Sequence, residues 1–132
     1  MPRKFDTPPD LADLDLLARE AFASLPEHLR RHATDVPIRI EDFPDAETGK
    51  DMGLESPFDL LGLYRGVSLD HKSVGDAPHD IDIIFLYRRP ILDYWSEAGE
   101  DLYHIVRHVM IHEIGHHFGL SDEEMERIEE DA

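Results

Sequence analysis

Cysteine is absent from this chain of 132 residues. Disulfides and thiolate metal ligands are therefore excluded, and any bound metal must be held by His, Asp or Glu. Long apolar runs are absent too. No window approaches the roughly 20 residues of a membrane helix, and the opening MPRKFDTPPDLADLDL lacks the apolar stretch of a secretory signal. Basic side chains are few: 13 Lys and Arg face 30 Asp and Glu, a formal net charge of -17. Such a surface repels nucleic acid and anionic membranes. The expectation is a cytoplasmic monomer with no nucleic-acid or membrane partner, whose acidity serves mainly as a solvated surface and weakly favours cations.

What is present suits one domain with one real core. Residues 1–9, with three prolines, are expected as a tail, and residues 10–132 as the domain. Leu11, Leu14, Leu17, Ala18, Ala21, Phe22 and Leu25 recur at helical steps, and Glu27–Ala33 predicts a second short helix. Val36–Phe43 alternates as a strand whose Pro37 belongs at an edge or at its first position. Residues 44–57 are polar, carry Gly49 and Gly53, and predict a loop with room for one helical turn. Leu60–Leu69 and Ile81–Tyr87 predict two more strands, and Gly62 and Gly66 in the first suggest a bulge or a close backbone approach. Arg88-Arg89-Pro90 stops the last strand, and Ile91–Ser96 predicts a short helix.

Glu100–Phe118 then predicts a long helix with Leu102, Ile105, Val106, Val109, Met110 and Ile114 facing the core. Gly119 is placed to end it. Ser121-Asp122-Glu123-Glu124 has the form of a capping box for a last helix reaching about Glu130, with Met125 and Ile128 inward. Strands grouped together and helices grouped together give an α+β fold, a small mixed sheet packed against helices.

The chemistry lies in His112-Glu113-Ile114-Gly115-His116-His117-Phe118-Gly119-Leu120-Ser121-Asp122. His112 and His116 are one turn apart, so one zinc ion can take both. Glu113 lies about 100° round the helix from His112, near the metal without being forced onto it. That suits the general base for a zinc-bound water. A third ligand is needed. Gly119 lets the chain turn back, and Asp122 is the first carboxylate the returning chain offers, with Glu123 and Glu126 as alternatives. An acid in a helix's first turn is also stabilised by the helix dipole with no metal present.

His104, His108, His112 and His116 form a stripe about 18 Å long, too long for one ion. His104 and His108 are expected at the surface or behind the ligands. His117 points away from His116 and is expected to be structural or a hydrogen-bond donor. His71 and His79 fall in a loop. Tyr64, Tyr87, Tyr94 and Tyr103 are each candidates to polarise a substrate carbonyl, with core packing the simpler role.

The run HExxHxxGxx followed by a ligand resembles the metzincin type of zinc metallopeptidase, with Asp122 where a third histidine commonly stands. The chain from about Pro8 to Glu130 more closely resembles a family of small bacterial zincin-like proteins, minimal zincins with a suggested metallopeptidase function. The resemblance is carried by Leu61–Gly66, by Ile81–Leu92 and above all by His112–Asp122. It implies a motif helix packed on a small mixed sheet, zinc on His112, His116 and Asp122, and Glu113 as base. A zinc-dependent peptidase acting on a peptide or protein substrate is the first expectation, with the substrate paired to a sheet edge such as Ile81–Leu86. The second is a regulatory or peptide-binding module that keeps the zincin scaffold and cleaves nothing.

Overall fold

The computed structural model describes residues 5–68 and 80–130; His71 and His79 lie outside the described residues. The first helix, α1 (Leu11–Ala23), is started by Asp10. Its carboxylate accepts the Asp13 N–H at 2.8 Å, and the Asp13 carboxylate accepts the Asp10 N–H at 3.0 Å. Two donors at the helix start are thereby satisfied. Leu14, Leu17, Ala18 and Ala21, on one face of α1, are all buried. A single turn, α2 (Glu27–Arg30), follows Pro26. Of the described residues before α1, Phe5 meets the Trp95 ring edge-on at 6.1 Å, and the Pro9 carbonyl accepts Arg88 Nε at 2.6 Å.

Three strands form the sheet: β1 (Ile38–Glu41), β2 (Gly62–Ser68) and β3 (Asp80–Tyr87). β1 begins just after Pro37, whose ring cannot donate to the ladder but whose carbonyl accepts the Ile84 N–H at 3.0 Å. Between β1 and β2 lie helix α3 (Ala46–Asp51) and a 3-10 turn at Pro57–Asp59, more regular structure than the polar composition suggested. The order is β1-β3-β2, with β1 parallel and β2 antiparallel to β3. This corrects one expectation. Ile81–Leu86 lies in the central strand, paired with β2 along its length and with β1 over Ile84–Leu86, so it is not an edge strand; among the described residues the edges are β1 and β2. The β2–β3 register runs unbroken from Gly62↔Leu86 to Ser68↔Asp80, so neither glycine marks a bulge. Gly62 instead allows a close approach. A Cβ there would stand 2.5 Å from Val109 Cγ1 and 3.0 Å from the Phe85 carbonyl.

Helix α4 (Arg88–Ala98) starts directly where β3 ends, three residues earlier than expected. Pro90 is its third residue, where an N–H would have no intrahelical acceptor, so proline costs the helix no bond there. The long helix α5 (Leu102–His117) follows, then α6 (Asp122–Glu130). Six helices and one mixed sheet among the described residues make the expected α+β fold. No described helix is long and apolar enough to cross a membrane.

α5 belongs to both parts of the core. Leu102, Ile105, Val106, Val109 and Met110 pack with the buried face of α1 and with Leu86 and Ile91. Ile111 and Ile114 pack with Leu25, Leu29, Tyr64, Ile84, Met125 and Ile128. All six residues predicted to face inward are buried. At about 25 cal/mol per Å² of apolar surface, this shared burial makes α5 the element the others are built around.

Candidate metal centre

α5 ends as its sequence dictates. The Leu120 N–H donates to the Gly115 carbonyl at 2.8 Å and the Gly119 N–H to the His116 carbonyl at 3.2 Å, with Gly119 at φ +77°. This is the Schellman arrangement, in which glycine takes the left-handed position without a Cβ penalty. Two residues later the expected capping box starts α6: Glu124 N–H donates to Ser121 Oγ at 3.1 Å, and the Ser121 N–H to Glu124 Oε1 at 3.2 Å. The short link folds α6 back along α5, and Gly115, inside the motif, lets it come close. A Cβ at 115 would stand 2.5 Å from Met125 Sδ and 2.9 Å from its Cγ. Met125 is fully buried against this spot. Arg107, also buried, donates to the Ile128 carbonyl at 3.3 Å and to Ser24 Oγ at 3.0 Å. It thus ties the last turn of α6 to the end of α1.

This frame sets the histidine face. The His112 and His116 rings stand 5.6 Å apart, nearly perpendicular. His112 is half-buried; His116 is 59% exposed. Asp122 sits in the first turn of α6 with its side chain 87% exposed, and its Oδ1 lies 3.9 Å from His116 Nε2. Of the alternatives, Glu123 is exposed and near Arg127 at 3.9 Å, and Glu126 is exposed. Burial, more than the neighbouring His108, holds the His112 imidazole below its ordinary pKa. Its neutral form, the one that ligates metal, is thereby favoured.

Glu113 faces the sheet. Its Oε1 accepts the Tyr64 N–H at 3.1 Å. Just before β2 the Leu61 carbonyl points to β3, bonding the Tyr87 N–H at 2.9 Å. The even-numbered residues therefore turn their backbone groups to the free edge, and Glu113 stands at that edge. Burial raises the Glu113 pKa; the Tyr64 N–H and His116 pull partly the other way.

Tyr64 is a packing residue, as the simpler expectation had it. It is buried, its hydroxyl donates to Asp82 Oδ2 at 3.2 Å, and its ring stacks on His117 at 3.9 Å. His117 is itself exposed and lies over this ring. Tyr87 is buried as well, whereas Tyr94 is 46% exposed.

The structure also gathers residues that the sequence reading had left apart. Among the described residues, the three His or carboxylate groups whose donor atoms all come within 4.8 Å of one another are His108, His112 and Glu129. His108 Nδ1 and Glu129 Oε1 are in direct contact, and His112 Nε2 is 3.8 Å from Glu129 Oε2. Glu129 was visible in principle: it lies four residues after Met125, on the inward side of a helix whose direction the sequence did not reveal. Beside this trio opens a cleft of about 740 Å³, lined in part by Leu61, Tyr94, His104, His108 and Glu129.

The donors on this face are imidazole and carboxylate, a set suited to zinc and similar divalent ions. The family model for zincin-like metallopeptidases matches residues 33–132. The chain belongs to the zincin-like metallopeptidase family. That match spans both strand pairs and the whole motif region, and the family implies a metal, typically zinc. No curated protein matches the chain.

Proposed function

We propose that this zincin-like protein is a zinc-dependent peptidase in which His112, His116 and Asp122 hold the metal and Glu113 is the general base. The observation that supports it best is the position of Glu113, between the imidazole face of α5 and the free edge of β2. When bound, zinc supplies a Lewis acid and lowers the pKa of a water to about 7. Glu113 takes a proton from the attacking water and returns it to the leaving amine. The Tyr64 N–H orients its carboxylate, and burial raises its basicity toward the range such a base needs. An extended substrate pairs its main chain with β2, the edge next to the motif, rather than with β3.

The exposure of His116 and Asp122 favours a second reading, a metal-holding module that binds peptides without cleaving them. Glu113→Gln separates the two. On the peptidase reading it keeps zinc and fold while lowering turnover of a peptide library by about 10²–10⁴. Full activity in that variant removes Glu113 as base, and no cleavage by the wild type leaves the binding module. Asp122→Ala is expected to weaken zinc retention by more than about tenfold, since losing even an outer partner of a ligand costs that much.

A further inference from the structure

The histidine stripe is longer than the motif, and the acid nearest to it is not Asp122. His108 lies one turn before His112, with ring centroids 4.1 Å apart. Glu129 reaches across from α6 and spans the pair: its Oε1 contacts His108 Nδ1, and its Oε2 is 3.8 Å from His112 Nε2. The donor atoms of all three lie within 4.8 Å of one another. Ligand atoms around one tetrahedral zinc stand about 3.4 Å apart, given bonds of 2.0–2.1 Å, so the widest pair of the trio has to close by at most about 1.4 Å while the His108–Glu129 contact opens. Two features make the placement of Glu129 more than a surface accident. Arg107 grips the carbonyl of the preceding residue, Ile128, from within the core. Met125, one turn earlier, is locked against Gly115. The cleft beside the trio leaves room for a fourth ligand from solvent or substrate.

The geometry points to a second divalent-cation site, formed by His108, His112 and Glu129, one helical turn before the motif pair and competing with it for His112. A single imidazole Nε2 binds one ion, so filling this site withdraws His112 from His116 and Asp122. An ion here suits zinc or a similar borderline divalent metal, because the donors are two imidazoles and a carboxylate. The chain then has two alternative positions for its metal along one helix face. This goes beyond the peptidase reading, because binding at the new site does not require hydrolysis.

The test uses the full chain with zinc alone, followed by equilibrium dialysis and metal analysis, and with cobalt(II), followed by its visible absorption. His116→Ala removes a motif ligand that is exposed, so the fold is expected to survive; circular dichroism checks this. The variant is expected to retain about one zinc per chain, the count for three protein ligands with an open position, and to give a cobalt spectrum. Adding Glu129→Gln to it is expected to weaken zinc binding by at least about tenfold, as loss of a ligand partner does, and to change the cobalt bands. A folded His116→Ala that binds no zinc overturns the proposal, and so does a double variant that binds as tightly as the single one. The motif site is judged separately on His108→Ala/Glu129→Gln. If that variant keeps zinc while His116→Ala also does, both sites stand. If it loses all zinc, the ion belongs to the new site and the motif reading fails instead.

Discussion

The two faces of α5 are held by different means. Its apolar face is wedged between α1 and the sheet, and Leu102, Val106, Met110 and Ile114 have almost no exposed surface. Its histidine face has no such filling: His104, His108 and His116 are exposed, and what order it has comes from α6. Packing on the first face is collective and tolerates little change in volume. Geometry on the second depends on a few joints, namely the Schellman end, the capping box, the Gly115–Met125 contact and Arg107. A helix built this way can keep its position while the groups it presents shift by an ångström or more. Such freedom is what two competing metal positions on one face require.

The sharpest way to break this contrast is to truncate one residue on each face. Met110→Ala is expected to cost about 2–5 kcal/mol, the range for a buried large-to-small change. His104→Ala is expected to stay within about 0.5 kcal/mol, as exposed positions do. Denaturant melts of both variants measure the difference, and equal costs would mean that the histidine face is also structural. A smaller effect comes from the joint between the faces. Ser121→Ala removes the cap of α6 and is expected to cost about 0.5–2 kcal/mol. It should also loosen zinc binding, because α6 carries both Asp122 and Glu129; unchanged binding would show that α6 needs no cap to hold them.

The smallest effect is confined to alkali. Burial first, and then Asp82 beside Tyr64 and Glu41 beside Tyr87, push both phenols up to about 12 from 10.0. The folded chain therefore keeps protons that the unfolded chain loses. This contribution is complete below pH 10 and is lost as the pH rises toward 12. Thermal melts across that window should fall steadily, and tyrosinate absorbance should show two of the four tyrosines ionising late. Four phenols titrating together near pH 10 would contradict the burial of Tyr64 behind His117.

Much of the architecture was legible because it follows local rules. The stripe of α1, the inward set of α5, Gly119 as terminator and the Ser121–Glu124 box all depend on residues within one or two turns of each other. The misses have a common cause. The direct step from β3 into α4 hid behind Pro90, whose meaning depends on whether it falls inside a helix or in its first turn. The central place of β3 reflects a parallel pairing with β1 across more than forty residues, which periodicity does not encode. Gly115 has no role that local rules assign to it, yet its missing side chain is what admits Met125.

By itself the sequence determined the kind of chemistry this chain can support. With no cysteine, metal ligands are limited to His, Asp and Glu, and one turn of helix puts His112 and His116 on a common face. It also determined where the motif helix ends. Which carboxylates meet those histidines was decided only in three dimensions, because α6 must fold back and dock before Asp122 stands near His116 and Glu129 bridges His108 and His112. The same holds for Glu113, whose partner, the Tyr64 N–H, lies 49 residues away in sequence. Side-chain spacing along a helix is a local property; the approach of one element to another depends on the packing of the whole core.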